Sequence, residues 1–203
     1  MLKLGLMCGT FDPPHIGHLI LAQMALGELG LDRILFLPVG DPTHKTTGTS
    51  ASHRIKMTEL AISDNPDFVL DDMDAVRPGP HYTATLLPLI QDKFPTAKLW
   101  LLIGGDSLAA FSEWHRPAEI LNYCRIAVLD RPKVDTKFTL SDRLRAALSG
   151  KIDKLTGPSI DLSSTWLRNY FSQVEDLSAE IIPARYLIHP AVGRYIIEND
   201  LYQ

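Results

Sequence analysis

Short apolar runs alternate along this chain with longer amphipathic stretches, and the alternation predicts its elements. Residues 2–8 read as a strand, closed by Gly9 and the Asp12-Pro13-Pro14 turn signal. Residues 17–29 read as a helix, with Leu19, Ile20, Ala22, Met24, Ala25 and Leu26 apolar and Gly30 as a stop. Residues 33–39 form a second strand whose end Pro38 weakens. A polar loop at 40–52 precedes a helix at 52–62 and a short strand at 68–70. Then come a helix at 83–94, the KLWLLI strand at 98–103, a helix at 119–123 and a fifth strand at 126–129. Strands alternating with helices imply βαβ units and a parallel sheet covered on both faces.

Beyond Pro132 the periodicity weakens. The pattern predicts a helix at 140–148, a strand at 160–162, and a helix at 163–171 opened by Ser163-Ser164-Thr165 as N-cap. A last helix is expected over 183–199, with Pro183 in its first turn. No repeat or long linker divides the chain. The expected architecture is a Rossmann-like, doubly wound α/β sheet in one domain spanning 1–203. Residues 1–132 would form the nucleotide-binding core and 133–203 a helical C-terminal extension.

Composition changes this picture little. The 203 residues are 45% hydrophobic and 22% charged, and the formal net charge is −4. That balance argues against a nonspecific nucleic-acid binder, which concentrates basic residues. No apolar segment approaches the roughly 20 residues of a membrane span, and the N-terminal run is too quickly broken for a signal peptide. Cys8 and Cys124 have no zinc-site spacing and read as free thiols of a cytoplasmic protein.

The chemistry concentrates at the turn after the first strand, CGTFDPPHIGH, residues 8–18. In an open α/β sheet, ligands gather at the carboxyl ends of strands and phosphates at helix N-termini. Gly9 permits close approach of the backbone, and Gly17 would let a phosphate or base lie against the helix start. His15 and His18, three residues apart, project from one side of the first helical turn and can donate to phosphate oxygens. Ser163, Ser164 and Thr165 offer a second anion site at a helix start, with Arg168 adding a bidentate fork one turn later. After the 98–103 strand, Gly104 and Gly105 admit a ligand to the backbone and Asp106 can accept from ribose hydroxyls. Trp114 offers a flat surface for a ring.

The G-T-F-D-P-P-H-x-G-H stretch resembles the nucleotidyltransferase superfamily that shares its HxGH signature with class I aminoacyl-tRNA synthetases. The chain is far shorter than a synthetase and carries no KMSKS loop. Within the superfamily it is similar to the bacterial nicotinate-mononucleotide adenylyltransferases. The similarity rests on further motifs in order: Thr43-His44-Lys45, Arg54 with Met57, HYTATL at 81–86, IGGDSLAAFSEWHRPAEIL at 103–121, DLSSTWLR at 161–168, and a closing Leu-Tyr pair.

The resemblance implies transfer of AMP from ATP to nicotinate mononucleotide, with Mg²⁺ carried on the ATP phosphates rather than in a protein cage. It implies catalytic roles for His15, His18, Lys45 and Arg168. ATP would meet Gly9, Thr10, Phe11, Gly17, Gly104, Asp106, Ser163, Ser164 and Thr165. The mononucleotide would meet Asp12, Tyr82, Thr83, Trp114 and Arg131. Arg54 would orient the Lys45 loop or face solvent. Three positions depart from the family pattern: Cys8 replaces a usual glycine, His81 a common serine, and Thr43 a usual proline. Nicotinamide mononucleotide and phosphopantetheine remain alternative acceptors, as does a catalytically silent nucleotide-binding regulator.

Overall fold

The computed structural model describes residues 1–40, 48–129, 142–158, 160–173 and 184–203. Within them the chain runs β1 (Lys3–Gly9), α1 (Ile16–Glu28), β2 (Arg33–Pro38), α2 (Ala51–Ala61), β3 (Phe68–Leu70), α3 (Met73–Val76) and α4 (Thr83–Lys93). It continues with β4 (Lys98–Gly104), α5 (Gly105–Ala109), a 3₁₀ turn at Phe111–Glu113, α6 (Pro117–Tyr123) and β5 (Cys124–Leu129). The last elements are α7 (Asp142–Leu148), β6 (Ile152–Leu155), α8 (Ser164–Phe171) and α9 (Pro190–Glu198).

All six strands pair in parallel, in the order β3-β2-β1-β4-β5-β6. The chain therefore winds outward to one side from β1 and to the other from β4. Alternate side chains of each strand enter opposite cores, as the two-residue strand period requires. Leu4, Leu6, Leu35, Leu99, Leu101 and Ile126 face α4, α6 and α7. Met7, Ile34, Phe36, Trp100 and Leu102 face α1, α2, α8 and α9. Both faces are covered, which explains the continuous apolar runs of β2 and β4.

Small residues set how closely α1 lies on the sheet: Ala22 and Ala25 are fully buried beside Leu21. α9 closes the same face by docking on α2, where His53 Nδ1 and Tyr195 Oη hydrogen-bond at 2.8 Å. Leu187, just before α9, accepts from the N–H of Ile16 at 2.8 Å and so ties this segment to the start of α1.

The doubly wound sheet is as the sequence predicts, with local corrections. The expected strand at 160–162 is irregular chain, in which the N–H of Leu162 folds back onto the carbonyl of Ile160 at 3.0 Å. Its two apolar residues mimic strand alternation, but no neighbouring strand among the described residues pairs with them. The sixth strand is instead β6, whose IDKL sequence is too polar to stand out. The last helix begins at Pro190 rather than 183; residues 184–187 form turns, and Pro183 lies outside the described residues. Among the described residues, no helix is long and apolar enough to cross a membrane.

Candidate active site

The site begins where β1 ends. The chain turns sharply through Thr10–Asp12, with Phe11 in the left-handed region at φ +51° and the Asp12–Pro13 peptide bond cis. Few non-glycine residues hold a positive φ, and packing keeps Phe11 there. Its ring is buried 5.8 Å from Phe36 and 5.1 Å from His18. His15 then takes extended geometry as the N-cap of α1.

The two histidines meet as the three-residue spacing requires. The main-chain N–H of His15 donates to Nδ1 of His18 at 3.1 Å, and their rings stack with centroids 3.8 Å apart. With Nδ1 accepting, the neutral His18 ring carries its proton on Nε2, which is then a donor. Gly17 serves this pair: a Cβ there would stand 3.0 Å from Nδ1 of His15 and 3.1 Å from Cε1. The space over Gly17 thus holds the His15 ring. The first turn of α1 carries no acidic residue to offset the positive end of the helix, which favours an anion there.

The facing wall comes from α8. Ser163 caps this helix by accepting from the N–H of Trp166 at 3.2 Å. Ser164 donates from Oγ to the carbonyl of Pro13 at 2.8 Å. Arg168 donates from Nη1 to the carbonyl of Asp12 at 2.8 Å and from Nη2 to Oγ1 of Thr165 at 3.2 Å. Two helix N-termini therefore converge on one turn, and the second is bonded to it. At the end of β4, Asp106 folds back so closely that a Cβ on Gly104 would lie 2.7 Å from its Oδ1.

These elements enclose a cleft of about 630 Å³ at the β1–β4 switch point. Gly9, Thr10, Phe11, Asp12, His15, Gly17 and His18 line it from the first turn. Gly104, Asp106 and Trp114 line it from β4 onward, and Ser163, Ser164, Thr165 and Arg168 from α8. A larger open groove, about 920 Å³, lies beside β3 and Lys93 but contains none of these residues. Chemistry, not volume, picks out the cleft.

Tyr82 and Thr83 do not line this cleft. Tyr82 stands at the start of α4 with its ring stacked on His115, 4.2 Å between centroids. That stack links it to the chain neighbour of Trp114, which does line the cleft. Lys45, Thr43 and Arg131 lie outside the described residues.

Of the two orientations open to Arg54, the structure shows the buried one. Its side chain, 1% exposed, donates to the carbonyls of Thr10, Val39, Gly40 and Thr49. It thus joins the first turn to both flanks of the loop after β2. Sequence reasoning found the arginine but not this role, because backbone acceptors leave no mark in a sequence. The apolar lining from Ile20, Leu102, Leu129, Pro158 and Ile160 was likewise unmarked.

His81, one of the family departures, borders Asp74, whose charge also reaches Cys8, another of them. Nδ1 of His81 is 3.4 Å from Oδ1 of Asp74, and Arg77 Nε donates to the same oxygen at 2.6 Å. Burial, reinforced by the Asp74 charge, pushes the Cys8 thiol far above its ordinary value. Cys8 lines the cleft as an uncharged thiol and not as a nucleophile.

The parallel sheet, the switch-point cleft and its two facing helix N-termini define a nucleotide-binding α/β protein built for phosphate chemistry. Residues 6–170 match the family model described as cytidylyltransferase-like. The chain belongs to this family and, within it, to the nicotinate-nucleotide adenylyltransferases. It is 35% identical to the nicotinate-nucleotide adenylyltransferase of Bacillus subtilis (strain 168), with 100% of both chains covered. It is 37% identical to the probable nicotinate-nucleotide adenylyltransferase of Dehalococcoides mccartyi (strain CBDB1), over 99% of this chain and 97% of that one. Among solved structures, the Plasmodium falciparum nicotinic acid mononucleotide adenylyltransferase complexed with NaAD has the same fold. Its TM-score is 0.78 at 18% identity, covering 100% of this chain and 98% of that one.

Proposed function

We propose that the chain transfers AMP from ATP to nicotinate mononucleotide, giving nicotinate adenine dinucleotide and pyrophosphate, a step of NAD biosynthesis. The observation that carries the reading is the pair of helix N-termini, α1 with His15 and His18 and α8 with Ser163–Arg168, facing one cleft at the sheet's switch point.

A phosphate oxygen of the mononucleotide attacks the α-phosphorus of ATP in line, and the bond to the pyrophosphate oxygen breaks. No covalent enzyme intermediate is required. Such transfer needs positioning and charge neutralisation more than side-chain covalency. His15 and His18 hydrogen-bond the α-phosphate and its bridging oxygen. Gly9, Thr10, Phe11 and Gly17 shape the α1 wall against ATP, while Ser163, Ser164, Thr165 and Arg168 hold the departing phosphates with Lys45. Mg²⁺ enters with ATP as part of the substrate and supplies further neutralisation of that charge. Gly104 and Asp106 receive a ribose. Asp12, Trp114 and Arg131 bind the mononucleotide, with Trp114 against the pyridine ring, and Tyr82 and Thr83 meet its nicotinate end from outside the cleft wall, beside His115. The same reading places the protein in the cytoplasm, with Cys8 and Cys124 as free thiols.

The test is pyrophosphate release with MgATP and, in parallel, nicotinate mononucleotide, nicotinamide mononucleotide or phosphopantetheine. The expected outcome is a kcat/KM highest for the nicotinate acceptor. A preference for either other acceptor overturns the substrate assignment, and no release with any of the three overturns the reaction.

A further inference from the structure

One side chain reaches the first turn from beyond α9, outside every motif that carries the family resemblance except the closing Leu-Tyr pair. The hydroxyl of Tyr202 donates to Oδ1 of Asp12 at 2.7 Å, across 190 residues of sequence. The same hydroxyl lies 3.7 Å from the Met57 sulfur, its ring is 6.3 Å from Phe171, and the Thr49 side chain lies beside it. Tyr202 holds φ at +71°, a backbone region costly to a residue with a Cβ. Such a conformation persists where surrounding contacts over-determine it.

The acceptor is unusual. The Asp12 side chain is 1% exposed, and its second oxygen, Oδ2, is buried with no hydrogen-bond partner among the described residues. A buried carboxylate is costly unless its oxygens are bonded, so the tyrosine hydroxyl is the contact that fixes its orientation. Burial and the Asp12 charge drive the Tyr202 phenol far above its ordinary value, which keeps it a donor. The main chain of the same aspartate has a second role, because its carbonyl accepts from Nη1 of Arg168 at 2.8 Å.

We propose that Tyr202 is a positioning residue for Arg168: by fixing the Asp12 carboxylate, it fixes the carbonyl that aims the phosphate-binding guanidinium. The role rests on the reading of the cleft as an ATP site. It gives the segment after α9 a part in catalysis beyond covering the sheet.

Tyr202→Phe tests it, because the ring keeps its packing on Phe171 and Met57 while the hydroxyl is lost. The expected result is a ~10-fold fall in kcat, the scale of a small misplacement of a charge-stabilising group. The Kd of a non-hydrolysable ATP analogue rises by a similar factor. In an Arg168→Ala background the same substitution changes analogue affinity by less than about twofold, since groups acting through one another are not additive.

Tyr195→Phe is the structural control. It deletes the hydroxyl that bonds His53 and is expected to lower thermal stability without changing analogue affinity. Wild-type kcat and affinity in Tyr202→Phe overturn the proposal, as does an equal loss in both Arg168 backgrounds. Analogue binding by a wild-type protein that releases no pyrophosphate overturns the proposed reaction but leaves the binding arm readable. A wild type that binds no analogue overturns both.

Discussion

The guanidinium of Arg54 lies 3.0 Å from the carbonyl oxygen of Thr10 and reaches, from the same nitrogen, the carbonyl of Val39. One buried cation thereby joins the turns that leave β1 and β2, two neighbouring strands of the sheet. Nη2 donates to the carbonyl of Gly40 and Nε to that of Thr49. Replacing Arg54 with methionine keeps most of the volume and strands these carbonyls away from water. Hydrogen bonds to a charged group contribute about 1.5–3 kcal/mol each, although coupled losses do not simply add. The expected cost is about 3 kcal/mol or more, read from urea denaturation. Arg54→Lys should rescue little, because an ammonium lacks the planar fork. A Met variant as stable as wild type would show that the buried fork contributes nothing net.

Cys8 yields a prediction about reactivity. It lines the cleft, yet burial and Asp74 hold its thiol protonated, and burial alone pushes Cys124 up to about 12. The thiolate is the nucleophile, so neither residue should react quickly with iodoacetamide at neutral pH in the folded protein. Mass spectrometry after timed labelling, with and without denaturant, checks this. Rapid modification of native Cys8 would contradict its burial as a protonated thiol.

The legible and illegible parts of this molecule divide along a physical line. β1, β2, β4 and β5 are readable because strands buried on both faces need continuous apolar runs. The two helix starts that face the cleft are readable because they carry their caps in sequence: Ser163 at α8, and the three-residue His15–His18 spacing at α1. β6 is not, since an edge strand of IDKL pairs through its backbone and buries little beyond Leu155. Residues 160–162 mislead in the opposite direction: Ile160 and Leu162 line a cleft wall without pairing. The roles of Arg54 and Tyr202 stay hidden for a shared reason. Their partners are main-chain carbonyls or a carboxylate 190 residues distant, and neither kind of contact leaves a local pattern.

At the β5–β6 end of the sheet, Arg125 grips Asp153 with Nε and Nη2, both at 2.7 Å, and Trp100 donates to the same carboxylate at 2.9 Å. The Arg125 bonds, helped by that of Trp100, hold the Asp153 carboxyl below its ordinary 3.8. A carboxyl with a lowered folded value contributes stability above its unfolded value, and that contribution is lost as pH falls through the folded one. Stability should therefore decline between about pH 5 and pH 2 more steeply in wild type than in Asp153→Asn. The pair is partly exposed, so solvent screening keeps the difference small, at most about 1 kcal/mol. Parallel acid titrations of unfolding free energy check it; identical slopes would remove Asp153 from the acid response.

Trp114 lines the cleft and is only half-buried, tilted against Phe111 at 5.4 Å. A tryptophan serving only the core would be expected deeper than this. Trp114→Ala should raise KM for the mononucleotide about tenfold, as loss of one stacking contact implies, and leave KM for ATP within about twofold. Initial rates with each substrate varied in turn decide the matter. Equal increases in both constants would make Trp114 a packing residue.

The bond from the His15 N–H to Nδ1 of His18 separates two roles that one side chain holds at once. As third residue of α1, His18 caps the helix; as a ring with its proton on Nε2, it can donate to phosphate. His18→Ala loses both. Turnover should fall by roughly 10²–10³-fold, the usual cost of removing one preorganised donor to developing charge. Stability should fall by about 1 kcal/mol for the lost cap. His18→Gln separates the two, because glutamine at this helical position also accepts from the N-cap N–H. It should recover the stability while restoring only a minor part of the turnover, since its amide cannot take the imidazole's place and geometry. Steady-state pyrophosphate release and thermal melts of both variants read the two roles independently. Near-wild-type turnover in the alanine variant would remove His18 from the chemistry, and full activity in the glutamine variant would reduce it to a cap.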